Sequence, residues 1–184
     1  SFSLSLYGHV LLHEGDLGRA TDHFEHLAAS FPAGIIQRLQ RVDWHIWGPY
    51  YWLTGRYEPA RTLLAEVLSS LAERSQPYRQ SAAQALYGRI LLAEGQAGAA
   101  QAQAVLAWRQ LQGSDGLSTF QPPDTLNSIY QVLAATGHPD ASQPLALARK
   151  LLSQAADQLP TNAQKADLLG NLIANRAIME AESA

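Results

Sequence analysis

Apolar residues recur every three to four positions along most of this chain, in stretches interrupted by short polar or glycine-bearing breaks. That spacing is the signature of α-helices with one buried face. It predicts an all-α protein with helices near 2–14, 17–30, 35–54, 57–74, 77–94, 97–112, 124–136, 140–158 and 162–180. Asp16, Asp124 and Thr161 suit N-caps or first turns, where a side-chain oxygen can accept from an orphan backbone N–H. Pro59 and Pro77 also suit first turns, where a missing N–H costs little. The longest break, 113–123, holds two glycines and two prolines that forbid a continuous helix. Nothing in it resembles a phosphate-cradling loop.

The helical pattern repeats. Gly8–Gly15, Gly48–Gly55 and Gly88–Gly95 are glycine pairs with the same internal spacing, and successive pairs lie 40 residues apart. Five residues after each second glycine stands an alanine: Ala20, Ala60 and Ala100. Four further on come Phe24, Leu64 and Ala104. A degraded fourth unit has Tyr130, Leu133 and Gly137, displaced by two extra residues. Each position has a mechanical reading. The first glycine admits a neighbouring helix, and the second ends the first helix in a left-handed cap. The alanine sits where two helices cross, and the larger side chain one turn later fills the space beneath. A short helix pair cannot bury its apolar face alone, so units must stack.

These spacings and residue types resemble the tetratricopeptide repeat. The resemblance covers roughly residues 1–160 and includes Pro32 at the end of the first unit. It implies a right-handed α-solenoid of about four helical hairpins, with a C-terminal helix capping it over 161–184. The 40-residue period departs from the family's usual value of about 34, implying longer helices or loops. The tail Leu168-Leu169-Gly170-Asn171-Leu172-Ile173-Ala174-Asn175-Arg176-Ala177-Ile178 is similar to the ending of many large bacterial signalling ATPases and transcription activators. In that group a nucleotide-binding switch precedes a long array that receives signals from ligands or partner proteins. Residues 1–184 hold no nucleotide-binding motif, so the ATPase activity does not carry over. The start at Ser1 is read as that of a piece of a longer protein, forming one repeat domain.

Composition narrows the partners. Hydrophobic residues make up 47% of the chain, enough to build a core, and the net charge is −3. With no basic excess to neutralise phosphates, direct nucleic-acid binding is not expected. The absence of cysteine excludes disulfides and thiolate metal sites and agrees with a cytoplasmic setting. No signal peptide is visible, and no apolar run approaches the roughly 18 residues of a membrane span. No cofactor is expected.

Three clusters attract chemical readings. His9 and His13 lie one helical turn apart, and stacking would bring His45 near; this suits a shared metal, against the plainer reading of polar residues facing a groove. His23 and His26, beside Asp22 and Glu25, admit the same metal reading. Phe24 and Leu27 are the residues that helix buries, so a solvated face is preferred. Trp44, Trp47, Tyr50, Tyr51 and Trp52 form either an aromatic binding wall or repeat core. Trp44, Trp47 and Tyr51 are expected mostly in the core, and Trp52 on the concave side. Ser128, Thr125 and Ser153 lack any motif that activates a nucleophile, so no enzyme is expected.

In the tetratricopeptide resemblance, the first helix of each unit lines the concave surface. The matching positions are Ser5, His9 and His13, then His45 and Trp52, then Arg89, then Asn127 and Gln131. They form a candidate site for a peptide segment or small polar ligand. Three functions compete: a protein-binding or ligand-sensing module of a bacterial regulator, a self-association module whose open edges stack on a second copy, and an enzyme whose site the sequence does not reveal.

Overall fold

Four glycine-bearing turns among the described residues close in the same way. The structure, a computed structural model, describes residues 2–112 and 122–181. Among these residues are eleven helices and no strand. Helices α1 (Phe2–Glu14), α4 (Trp44–Leu53), α6 (Pro77–Ala93) and α8 (Pro122–Ala135) each run into a glycine of positive φ, at Gly15, Gly55, Gly95 and Gly137. After each helix two amides fold back onto its last turn. Asp16 N–H donates to Leu11 C=O at 2.9 Å and Gly15 N–H to Leu12 C=O at 3.3 Å, and the other three turns repeat this pair. This is the Schellman arrangement, which satisfies carbonyls a helix end would otherwise leave bare.

Past each glycine the chain doubles back into a second helix that packs on the first: α2 (Leu17–Ser30), α5 (Tyr57–Glu73), α7 (Ala97–Gln112) and α9 (Ser142–Asp157). Ala20, Ala60 and Ala100 are fully buried at these crossings, as are Phe24, Leu64 and Ala104 beneath them. In the fourth unit Ala141 and Leu145 are buried instead, one residue earlier in the register. The first glycine of each pair also has a packing role. A methyl group on Gly8 would lie 2.5 Å from Phe24 Cζ, one on Gly48 2.8 Å from Leu86 Cδ2, and one on Gly88 3.2 Å from the Ala100 carbonyl oxygen. The first helices of successive pairs also touch, α1 on α4, α4 on α6, and α6 on α8.

The predicted helix 35–54 is two helices. α3 (Ala33–Val42) and α4 are separated at Asp43, whose ψ of 32° lies outside helical geometry and whose carbonyl accepts from Ile46 and Trp47 N–H. The two halves bury different surfaces. α3 turns Ile36 and Leu39 inward over α2 and α5, while α4 is enclosed among α1, α5 and α6. A straight helix could not serve both. The predicted C-terminal helix is likewise two, α10 (Asn162–Gly170) and α11 (Ile173–Glu180), parted by the extended residue Leu172. The buried Asn175 side chain donates to the exposed-end carbonyl of Leu168 at 2.8 Å, which stabilises the break. Pro122 and Pro123, expected in a loop, form the first turn of α8. The remainder of the predicted loop, 113–121, lies outside the described residues, as do 182–184.

Two apolar clusters form the core. One is built around Phe24, Ile46, Trp47, Tyr50 and Leu64, the other around Leu126, Ile129, Leu133, Leu145 and Ile178. Trp44 and Trp47 are core residues as expected, but Tyr51 is half-buried and it is Tyr50 that is fully enclosed. Tyr51 instead has its hydroxyl bonded by Gln40 at 2.7 Å. No helix among the described residues is long and apolar enough to cross a membrane.

Candidate ligand-binding cleft

α1, α4, α6 and α8 present one face each to a common cleft of about 180 Å³, and α11 lies across one side of it. The outer helices α2, α5, α7 and α9 contribute nothing to its lining. Of the residues singled out in the sequence, His9 and His13 come from α1, His45 and Trp52 from α4, Arg89 from α6, and Asn127 and Gln131 from α8. Ser5 does not reach the cleft. It lies one turn before His9, fully buried beside the Asp43 carboxyl where α3 gives way to α4.

Each group is held in a distinct way. The Arg89 guanidinium stacks on the Trp52 ring, with its carbon 3.6 Å from the ring centroid. It donates no hydrogen bond to, and forms no ion pair with, a described residue, and burial lowers its pKa to about 10, partly opposed by Asp124. Stacking suits a planar, weakly hydrated cation and leaves its N–H edge for another partner. On α8, Gln131 donates to the Asn127 side-chain oxygen at 3.3 Å. Burial presses the imidazoles of His9 and His45 down to a pKa of about 4; His13 and His45 add to the effect at His9, and Arg79 at His45. Both rings are therefore neutral near pH 7. The three histidines gather, with ring centroids 4.3 Å apart for His9 and His13 and 6.3 Å for His9 and His45. Among the described residues, no group of three or more histidine, aspartate or glutamate side chains is arranged to hold a metal ion. His23 and His26 lie away from the cleft on α2, whose buried residues include Phe24 and Leu27.

The sequence reading missed Asp124 as a site residue. It treated this residue only as a helix-start signal, which it also is, since a carboxylate in the first turn complements the helix dipole. In the structure Asp124 borders the cleft with its carboxylate 4.0 Å from His13 Nε2. Its side chain is about one-third exposed (36%) but has much protein around it. That environment pushes its pKa up, while His13 and Arg89 oppose the rise. A stripe of polar residues, Asp124, Asn127, Ser128 and Gln131, runs at helical spacing along a helix whose other face buries Leu126, Ile129 and Leu133. That stripe was available as a signal. Ile173, Ala174 and Ala177 of α11 also line the cleft, and local pattern does not foretell such a long-range closure. Trp44, expected mostly in the core, serves both core and cleft wall. The opposing side is apolar, formed by Leu12, Pro49, Leu53 and Leu86.

No protein-family model matches the chain, and no curated protein or solved structure matches it.

Proposed function

We propose that this chain is a ligand-sensing or protein-interaction module that binds a small polar ligand or peptide segment on its concave surface, and that it does not catalyse a reaction. The observation that carries this reading is the convergence of seven side chains from four helices at repeat-equivalent positions on one partly apolar cleft. Ligand sites have this composition, apolar walls with a few convergent polar groups. In this reading the helix pairs form a right-handed solenoid of tetratricopeptide type, capped by α10 and α11. The tail similarity supports placing the module in a larger cytoplasmic bacterial regulator, of the signalling or transcription-activating kind.

Thermal melting against a panel of small polar metabolites and short peptides tests the reading. A true ligand raises the melting temperature of the parent chain by mass action. The same compound should leave Arg89→Ala and Trp52→Ala unmoved. Compounds that shift parent and variants alike would exclude the cleft as the binding surface.

Self-association is the second reading. It is favoured by Leu6, Tyr7 and Val10, which stand exposed together on α1. Light scattering of the purified chain decides it: a dimer that Tyr7→Glu returns to monomer supports association, and a monomer at high concentration excludes it.

A further inference from the structure

The cleft holds two opposite charges that do not pair. Arg89 and Asp124 each act on the other's protonation without forming an ion pair, and the contact Arg89 makes among the described residues is with the face of Trp52. A guanidinium drawn out of water without hydrogen-bonding partners costs free energy that a folded chain normally avoids by pairing it. Among the described residues nothing pairs with its donor edge, in a cleft where the α8 face is polar, Leu12, Pro49, Leu53 and Leu86 are apolar, and the His9 and His45 imidazoles carry no charge near neutrality.

The volume limits what fits. Clefts for drug-sized molecules run from about 300 to 1,000 Å³, and this one is about 180 Å³. A folded peptide segment exceeds it, and α11 lies along one side, while a second cavity adjoins it at His9, His13 and Asp124. A ligand of only a few heavy atoms with both signs of charge and an apolar part satisfies every wall.

We propose that the cleft takes a small zwitterion of the α-amino-acid class, its carboxylate on the Arg89 guanidinium, its ammonium on the Asp124 carboxylate and its apolar side chain against Trp44, Pro49 and Leu86. This rests on the binding-module reading and names its ligand. The guanidinium fork matches a carboxylate with two parallel N–H donors. The Asn127 and Gln131 amides supply neutral hydrogen-bonding groups in the same cleft. The role of Asp124 in complementing the α8 dipole remains compatible with this, because an incoming ammonium meets the same carboxylate from the cleft side.

The test is calorimetric titration of the 184-residue chain. The proteinogenic L-amino acids are the first probes, followed by three derivatives of the tightest binder: the N-acetyl form without the ammonium, the amide without the carboxylate, and the N-acetyl amide without either. Loss of either charge should weaken binding by roughly tenfold or more, the cost of removing a charge-assisted hydrogen bond. Arg89→Gln should erase the preference for the acid over its amide, and Asp124→Asn the preference for the free amine over its N-acetyl form. Circular dichroism verifies that both variants fold; if either does not, the derivative series on the parent chain decides. An N-acetyl derivative that binds as tightly as the free amino acid overturns the proposal, as does failure of every amino acid to bind in the millimolar range. Tetrapeptides and neutral sugars titrated in parallel separate the two levels of inference. Binding by these alone, lost in Trp52→Ala, overturns the zwitterion and keeps the binding module, whereas heat from no probe overturns both.

Discussion

Ser75 ends α5 in the conformation that glycine holds elsewhere in the chain. Its φ is 52°, and Ser75 and Gln76 N–H fold back onto Ala72 and Leu71 carbonyls as in the glycine-capped turns. A side chain in this region crowds the following carbonyl, at a cost of about 1–2 kcal/mol. Part of that cost returns as backbone entropy when glycine replaces it. Ser75→Gly should therefore stabilise the chain by roughly 0.5–1 kcal/mol, read as a higher denaturation midpoint. The tryptophans give a second comparison. Trp47 is enclosed beside Phe24 and Tyr51, whereas Trp52 is half-buried under Arg89. Trp47→Ala should cost about 3–5 kcal/mol. Trp52→Ala should cost clearly less in the same urea titration, because solvent already reaches its ring. Equal losses would make Trp52 a core residue and remove it from the cleft. At this scale the groove-facing positions were legible, since a residue's place in the repeat fixes which way it points. Ser5 departed from the pattern because the α3–α4 junction covers it, and nothing near Ser5 in sequence records that junction.

At the scale of the helix, the glycine and alanine positions made the pairs readable, because each answers a steric demand that few other residues meet. Ala60 shows how strict the demand is. It is fully buried where α4 and α5 meet, and Ala60→Leu should overpack the crossing by on the order of 1–3 kcal/mol. A melting curve unchanged from the parent would mean the crossing is slack. The two helix breaks were not readable for the opposite reason. Apolar residues continue at helical spacing across Asp43, from Leu39 through Val42 and Ile46, so periodicity reports one helix where the chain bends. At the C-terminus the α10–α11 break depends on Asn175 reaching back to Leu168. Asparagine in a helical pattern does not announce such a bond. α11 is also fastened from outside, with Arg149 of α9 donating to the Ile178 carbonyl at 3.1 Å and to that of Ala181.

For the whole molecule, buried imidazoles set the response to acid. His9 and His45 have folded pKa values of about 4, below the 6.5 of an unperturbed histidine. The unfolded chain thus binds more protons than the folded one between these values, and stability falls as pH drops through that window. Asp43 and Asp124, whose pKa values burial raises, work in the other direction, because the folded chain holds their protons more tightly. Their effect is to withdraw stability as pH rises above the unfolded carboxylate value. The histidine contribution lies between pH 7 and 4, so the melting temperature of His45→Gln should fall less steeply over pH 7 to 5 than that of the parent. A fall as steep in His45→Gln as in the parent would show the His45 ring to be solvated. One further consequence follows from α6, which supplies Ala83, Leu86 and Ile90 to the first core cluster and Ala85 and Leu91 to the second, while Tyr87 packs against both. Neither half can lose its structure without stripping apolar surface from the helix the other half needs. Unfolding should then be a single cooperative event, with tryptophan fluorescence, which draws on Trp47 in the first cluster and Trp108 in the second, and far-UV circular dichroism of the parent chain reporting one midpoint. Two midpoints would mean that the halves melt as independent foldons despite their common helix.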